Sequence, residues 1–66
     1  MNNYKIAVAN ITFNVTAVGD FTALRETGLF GEITQINYAQ TTEKKDVFVY
    51  KVKLNGKHEI AVVERI

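Results

Sequence analysis

The hydrophobic pattern is strongest between Asp46 and Arg65, where DVFVYKVKLNGKHEIAVVER holds two strand-like runs. Asn55-Gly56 stands at its centre. That dipeptide favours a two-residue type I′ turn, because both loop positions need positive φ. Val47, Phe48, Val49, Tyr50 and Val52 precede it, and Ile60, Val62 and Val63 follow. These β-branched and aromatic side chains suit a pleated sheet. A hairpin of residues 46–54 and 57–65 is therefore predicted. The turn fixes its register. Leu54–Lys57, Val52–Glu59, Tyr50–Ala61 and Phe48–Val63 share one face. Lys53–His58, Lys51–Ile60, Val49–Val62 and Val47–Glu64 share the other.

The first face is mostly apolar and reads as the core face. The second is divided, with Val47, Val49, Ile60 and Val62 at its base and Lys51, Lys53 and His58 at its tip. A strand wetted on one side alternates cleanly between apolar and polar. This pair does not, so the hairpin base is expected to be covered on both sides. A helix, a second sheet layer or another copy of the chain would provide the cover.

Upstream, EITQINYAQ (32–40) reads as a further strand, and residues 41–45 as a solvated loop. Antiparallel pairing across that loop places Tyr38 beside Phe48 and Ile36 beside Tyr50, on the core face. Gln35 and Asn37 join the divided face beside Lys51 and Val49. Two independent segments agree on one face, which supports a three-stranded meander of 32–40, 46–54 and 57–65.

Residues 4–18 read as extended. Tyr4, Ile6 and Val8 share one parity, and Ile11, Phe13, Val15 and Ala17 the other. One extra residue near Ala9-Asn10 explains the change as a β-bulge. A tight turn would also explain it, but Ala-Asn is a poor two-residue loop, so one long bent strand or a corner is favoured. Gly19-Asp20 ends the strand. Asp20 is a candidate N-cap, Phe21, Leu24 and Leu29 face inward, and Gly28 is the stop, giving a short helix or a loop around 21–27. Gly28 and Gly31 bracket Leu29-Phe30, either as a plug closing one end of the fold or as an exposed docking tip. The fold class is mainly β, or small α+β. It is a strongly bent, barrel-like antiparallel sheet of four to five strands in a single domain, 1–66.

Composition narrows the function. A chain of 66 residues buries only ~60% of its unfolded surface. Small domains usually add disulfides, a metal or association. There is no Cys and one His, which leaves association and points to no metal and no cofactor. The net charge of +1 is too balanced for a strong nucleic-acid or membrane prediction. Nothing apolar is long enough for a transmembrane helix, and the first residues lack a signal-peptide pattern. A cytoplasmic chain is the expectation. Asn10-Ile11-Thr12 and Asn14-Val15-Thr16 match the glycosylation pattern, but without an export signal they read as chance.

Candidate chemistry is sparse. Lys51, Lys53, Lys57 and His58, with Lys44 and Lys45 on the preceding loop, form a basic cluster. Such a ribbon can follow a phosphate backbone while Tyr4, Tyr38 or Tyr50 stacks on bases. Lysine-rich tips also serve solubility alone, and Glu43, Asp46 and Glu59 would partly neutralise this one. His58 has no nucleophile beside it, since Ser and Cys are absent, so an enzyme is not expected. Asp20, Glu26, Glu32, Glu43, Asp46, Glu59 and Glu64 are dispersed. Asp46 and Arg65 read as an ordinary surface pair. Gly28 and Gly31 lack the Lys and the strand–helix context of a phosphate loop.

The most informative feature is the apolar base. It supports a non-enzymatic protein-interaction module, self-associating or bound to another protein, with Val47, Val49, Ile60, Val62, Leu29 and Phe30 at the interface. Cover by residues 20–30 is the bland alternative. The runner-up function is a small barrel that binds nucleic acid through Lys51, Lys53, Lys57 and His58.

Overall fold

A computed structural model describes residues 1–43 and 45–66. In it lie β1 (Asn2–Val8), β2 (Ile11–Ala17), helix α1 (Asp20–Glu26), β3 (Phe30–Gln40), β4 (Asp46–Leu54) and β5 (Lys57–Arg65). The strands form one antiparallel sheet in the order β2-β1-β5-β4-β3. β2 and β3 are its two edges and do not pair, so the five-stranded antiparallel sheet expected from the sequence is present but is not closed into a barrel. The first and last strands, β1 and β5, lie side by side within it.

The C-terminal meander follows from its turns and parity. Asn55 and Gly56 have φ of 52° and 82°, as a type I′ turn requires. The β4–β5 register runs from Leu54↔Lys57 to Val47↔Glu64, with every pair where alternation places it. β3 pairs Tyr38 with Phe48 and Asn37 with Val49. The ring centroids of Tyr38 and Phe48 are 5.0 Å apart.

Two details of β3 differ from the expected register. Gln35, not Ile36, stands opposite Tyr50, and Ile36 is an extra residue bulged out before Asn37. A second extra residue lies between Gly31 and Thr34, where Glu32 has φ of 50°. Bulges bend an edge strand and interrupt its outward ladder.

The N-terminal half also differs. Ala9-Asn10 is a tight turn joining two strands, with Val8 opposite Ile11. It is neither a bulge nor a corner in one long strand. Of the two loop residues Ala9 alone has positive φ, 53°. The hairpin holds because seven cross-strand pairs outweigh one strained loop residue. Ala9→Gly is expected to raise stability by about 0.5–1 kcal/mol, since relief of the left-handed strain exceeds the added chain entropy. In a thermal melt this reads as a Tm increase of roughly 2–8 °C. An unchanged or lower Tm would show that Ala9 is not strained.

Helix α1 is short, and tertiary packing holds it. Its N-cap is Gly19, whose carbonyl accepts from the Ala23 N–H at 2.9 Å. Asp20 is the first helical residue instead, and its carboxylate accepts the Tyr50 hydroxyl. That contact draws the side chain toward the sheet and away from the capping position. Gly28, at φ 70°, follows the last turn as predicted, and its N–H donates to the Arg25 carbonyl. Leu24 and Ala23 are fully buried. Phe21 leans on Tyr50 with centroids 6.3 Å apart. Leu29 was expected inside but is 50% exposed, whereas Phe30 packs against the core. The plug is therefore Phe30 alone.

The core lies between α1 and one face of the sheet. Tyr4, Ile6, Val8, Ala17, Tyr50, Val52, Ala61 and Val63 line that face. Phe13, Val15, Ile33 and Phe48 pack around them, half-buried. Among the described residues nothing lies over the opposite face. Cover of the hairpin base by residues 20–30 is thereby ruled out.

Candidate functional site

The outer face of the sheet is the candidate site. Antiparallel register sets its rows. Across the middle run Asn37, Val49, Val62, Ala7 and Thr12. Toward the base the next row is Ala39, Val47, Glu64, Lys5 and Asn14. Toward the tip lie Thr34, Lys51 and Ile60, then Gly31, Lys53 and His58. Parity alone sends these residues away from the core, because they alternate along the strands with the core-face positions.

The four predicted apolar residues are therefore one contiguous patch. Ile60 is 50% exposed and Val62 37%, while Val47 and Val49 are half-buried by their neighbours. Ala7 and Ala39 extend the patch, and sequence reasoning missed both because alanine carries little apolar signal. The β1–β5 pairing that brings Ala7 beside Val62 is visible only in the fold. Leu29 and Phe30 do not join this patch. Phe30 stands opposite Leu54 with core-face parity, at the far end of β3.

Lysines rim the patch. Lys51, Lys53 and His58 lie toward the tip, with Lys5 on the base side, and Lys57 sits beside the turn opposite Leu54. Lys44 lies outside the described residues. The carboxylates expected to neutralise the tip are elsewhere. Glu43 and Glu64 each lie 3.9 Å from Lys45. Glu59 stands opposite Val52, on the core side. Glu32 takes their place, 3.8 Å from Lys53 in an exposed pair, and the bulge that turns it there was not legible in the sequence.

Asp46 belongs to a different cluster. It is only 8% exposed, with Arg65 Nη2 at 2.5 Å and the Tyr38 hydroxyl donating at 2.7 Å. It is thus a buried, doubly held carboxylate and not an ordinary surface pair. The hydrogen bond to Asp46 is the main cause holding the Tyr38 phenol above its usual range. This cluster lies on the core side, away from the lysines.

The tyrosines proposed for base stacking also face away from the lysines. Tyr4 and Tyr50 are buried in the core, and Tyr38 packs on Phe48 on the same side. Among the described residues no Tyr or Phe shares the outer face with the lysines. Nor does any group of three His, Cys, Asp or Glu residues there have metal-binding geometry. No helix there is long and apolar enough to cross a membrane.

No family model, curated protein or solved structure matches this chain.

Proposed function

We propose that this chain is a non-enzymatic protein-interaction module. It self-associates and acts as an inhibitor, adaptor or structural subunit by covering a partner's surface. A cytoplasmic setting accompanies this reading. The uncovered patch of Val47, Val49, Ile60, Val62 and Ala7 carries it, because contiguous exposed apolar surface on a small domain marks a binding site. An apolar centre with a polar rim is the usual anatomy of such an interface.

The rim argues for the kind of partner. Lys5, Lys51, Lys53 and His58 surround the patch on the outer face, with Glu64 between Val47 and Lys5 as its acidic neighbour on the base side. Two copies stacked face to face would bring lysines toward lysines. A protein with an apolar spot and an acidic border is the better complement. Nucleic acid fits less well, because the lysines and the tyrosines lie on opposite faces of the sheet.

Capture from a host lysate by the tagged chain tests the proposal, run beside Val62→Lys and Val49→Lys variants. A partner held by the wild type, lost in both variants and weakened by salt is the expected result. Stability of the variants should stay within about 1 kcal/mol, since both positions are partly exposed. An identical set of captured proteins for all three chains would remove the outer face as the site.

A further inference from the structure

We propose that the free edge of β2 is a self-pairing seam, where a second copy of this chain adds its own β2 antiparallel and in register. This rests on the reading of the chain as a self-associating module and names the surface that does it. The two edges of the sheet differ sharply. β3 is bulged at two places and has a left-handed backbone at Glu32. β2 pairs with β1 over its whole length without a register shift. Its sequence, ITFNVTA, has no charge, no Pro and no Gly. A regular, uncharged, β-prone edge is an open template for another strand.

Backbone direction fixes the register. The Ile66 N–H donates to the Asn3 carbonyl at 2.9 Å, so the main chain of Asn3 faces β5. By alternation Lys5 and Ala7 face β5 too, while Tyr4, Ile6 and Val8 face β2. Their partners Val15, Phe13 and Ile11 face back toward β1. The N–H and C=O groups of Thr12, Asn14 and Thr16 consequently point outward from the edge. A two-fold axis at Asn14 pairs Asn14 with its own copy and Thr12 with the Thr16 of the copy. Every outward group on both strands then finds a partner. Shifting the register in either direction leaves some of them unpaired.

The side chains agree with the backbone. On the core side this register sets Phe13 beside Val15 of the copy, and Ile11 beside Ala17 of the copy. Phe13 and Val15 are half-buried and Ile11 is 41% exposed, because β2 has a neighbour on one side only. A second β2 would continue the apolar layer across them. On the outer face the contacts are Thr with Thr and Asn with Asn, and no like charges meet. The two outer patches would then lie side by side on one continuous sheet. The seam is short, so the dimer should be weak and dependent on concentration.

Light scattering on size-exclusion fractions tests the seam, with the chain loaded from roughly micromolar to millimolar. The wild type should rise with concentration toward twice the 7.4 kDa chain mass. Asn14→Lys and Asn14→Glu should each remain monomeric with unchanged circular dichroism, because like charges would face each other on the axis. An equimolar mixture of the two should recover the dimer. Val62→Lys should dimerise like the wild type. Dimers that persist in both Asn14 variants, or a mixture that stays monomeric, would overturn the seam. A Val62→Lys monomer with dimeric Asn14 variants would move self-association to the outer face and leave the interaction module standing. A wild type monomeric throughout would overturn self-association itself, while capture through the outer face is decided separately.

Discussion

Leu24→Ala should unfold most of the protein at physiological temperature. Leu24 is fully buried and is the largest side chain that α1 sends into the core. Removing it leaves a cavity under a two-turn helix, and such truncations cost about 2–5 kcal/mol. Domains of this size sit near the lower end of the ~5–15 kcal/mol stability range. The loss is therefore comparable to the whole. A thermal melt should fall by roughly 10–30 °C, given the usual conversion for small domains. Near-ultraviolet signals from Tyr4 and Tyr50, which share that core, should weaken in parallel. A fall of less than about 5 °C would mean that the sheet stands without its helix.

Alkali should destabilise the chain through Tyr50. Burial first, and then its hydrogen bond to Asp20, push the Tyr50 phenol well above the ordinary tyrosine range. The native state thus keeps a proton that the unfolded chain gives up near pH ~10. The stabilisation is complete below that pH and is lost as pH rises toward the native value. The expected slope from this one group is about 1.4 kcal/mol per pH unit. Urea melts at about pH 9 and about pH 11 measure it. Tyr50→Phe should lower stability at neutral pH by about 1 kcal/mol, for the lost hydrogen bond, and flatten the alkaline slope. Equal slopes in the two chains would place the alkaline sensitivity elsewhere.

The legible parts of the fold were those with a local chemical signal. Asn55-Gly56 strongly favours a type I′ turn, so the pairing of β4 with β5 follows residue by residue. Gly28 as a helix stop was readable for the same reason. Ala9-Asn10 was not, because an alanine at positive φ has no glycine to announce it. The turn is imposed by the strands on either side. The bulges at Glu32 and Ile36 were equally silent: neither position is a Gly or Pro, and Ile36 shares the parity of Tyr38 and so reads as a regular core-face residue. The valines and isoleucine of the outer face were found from parity, yet which face α1 would cover was not. That choice depends on the crossing from the β2 edge toward β3, a relation between distant segments. The burial of Asp46 by Tyr38 and Arg65 is a tertiary effect that leaves no mark in the local sequence.

The seam between β1 and β5 sets an order of events. Tyr4 lies opposite Arg65, so strands from the two ends of the domain must meet before the layer is continuous. During synthesis the first hairpin waits without its inner neighbour until the last strand has left the ribosome. A nascent chain arrested before Lys57 should therefore remain open to proteolysis.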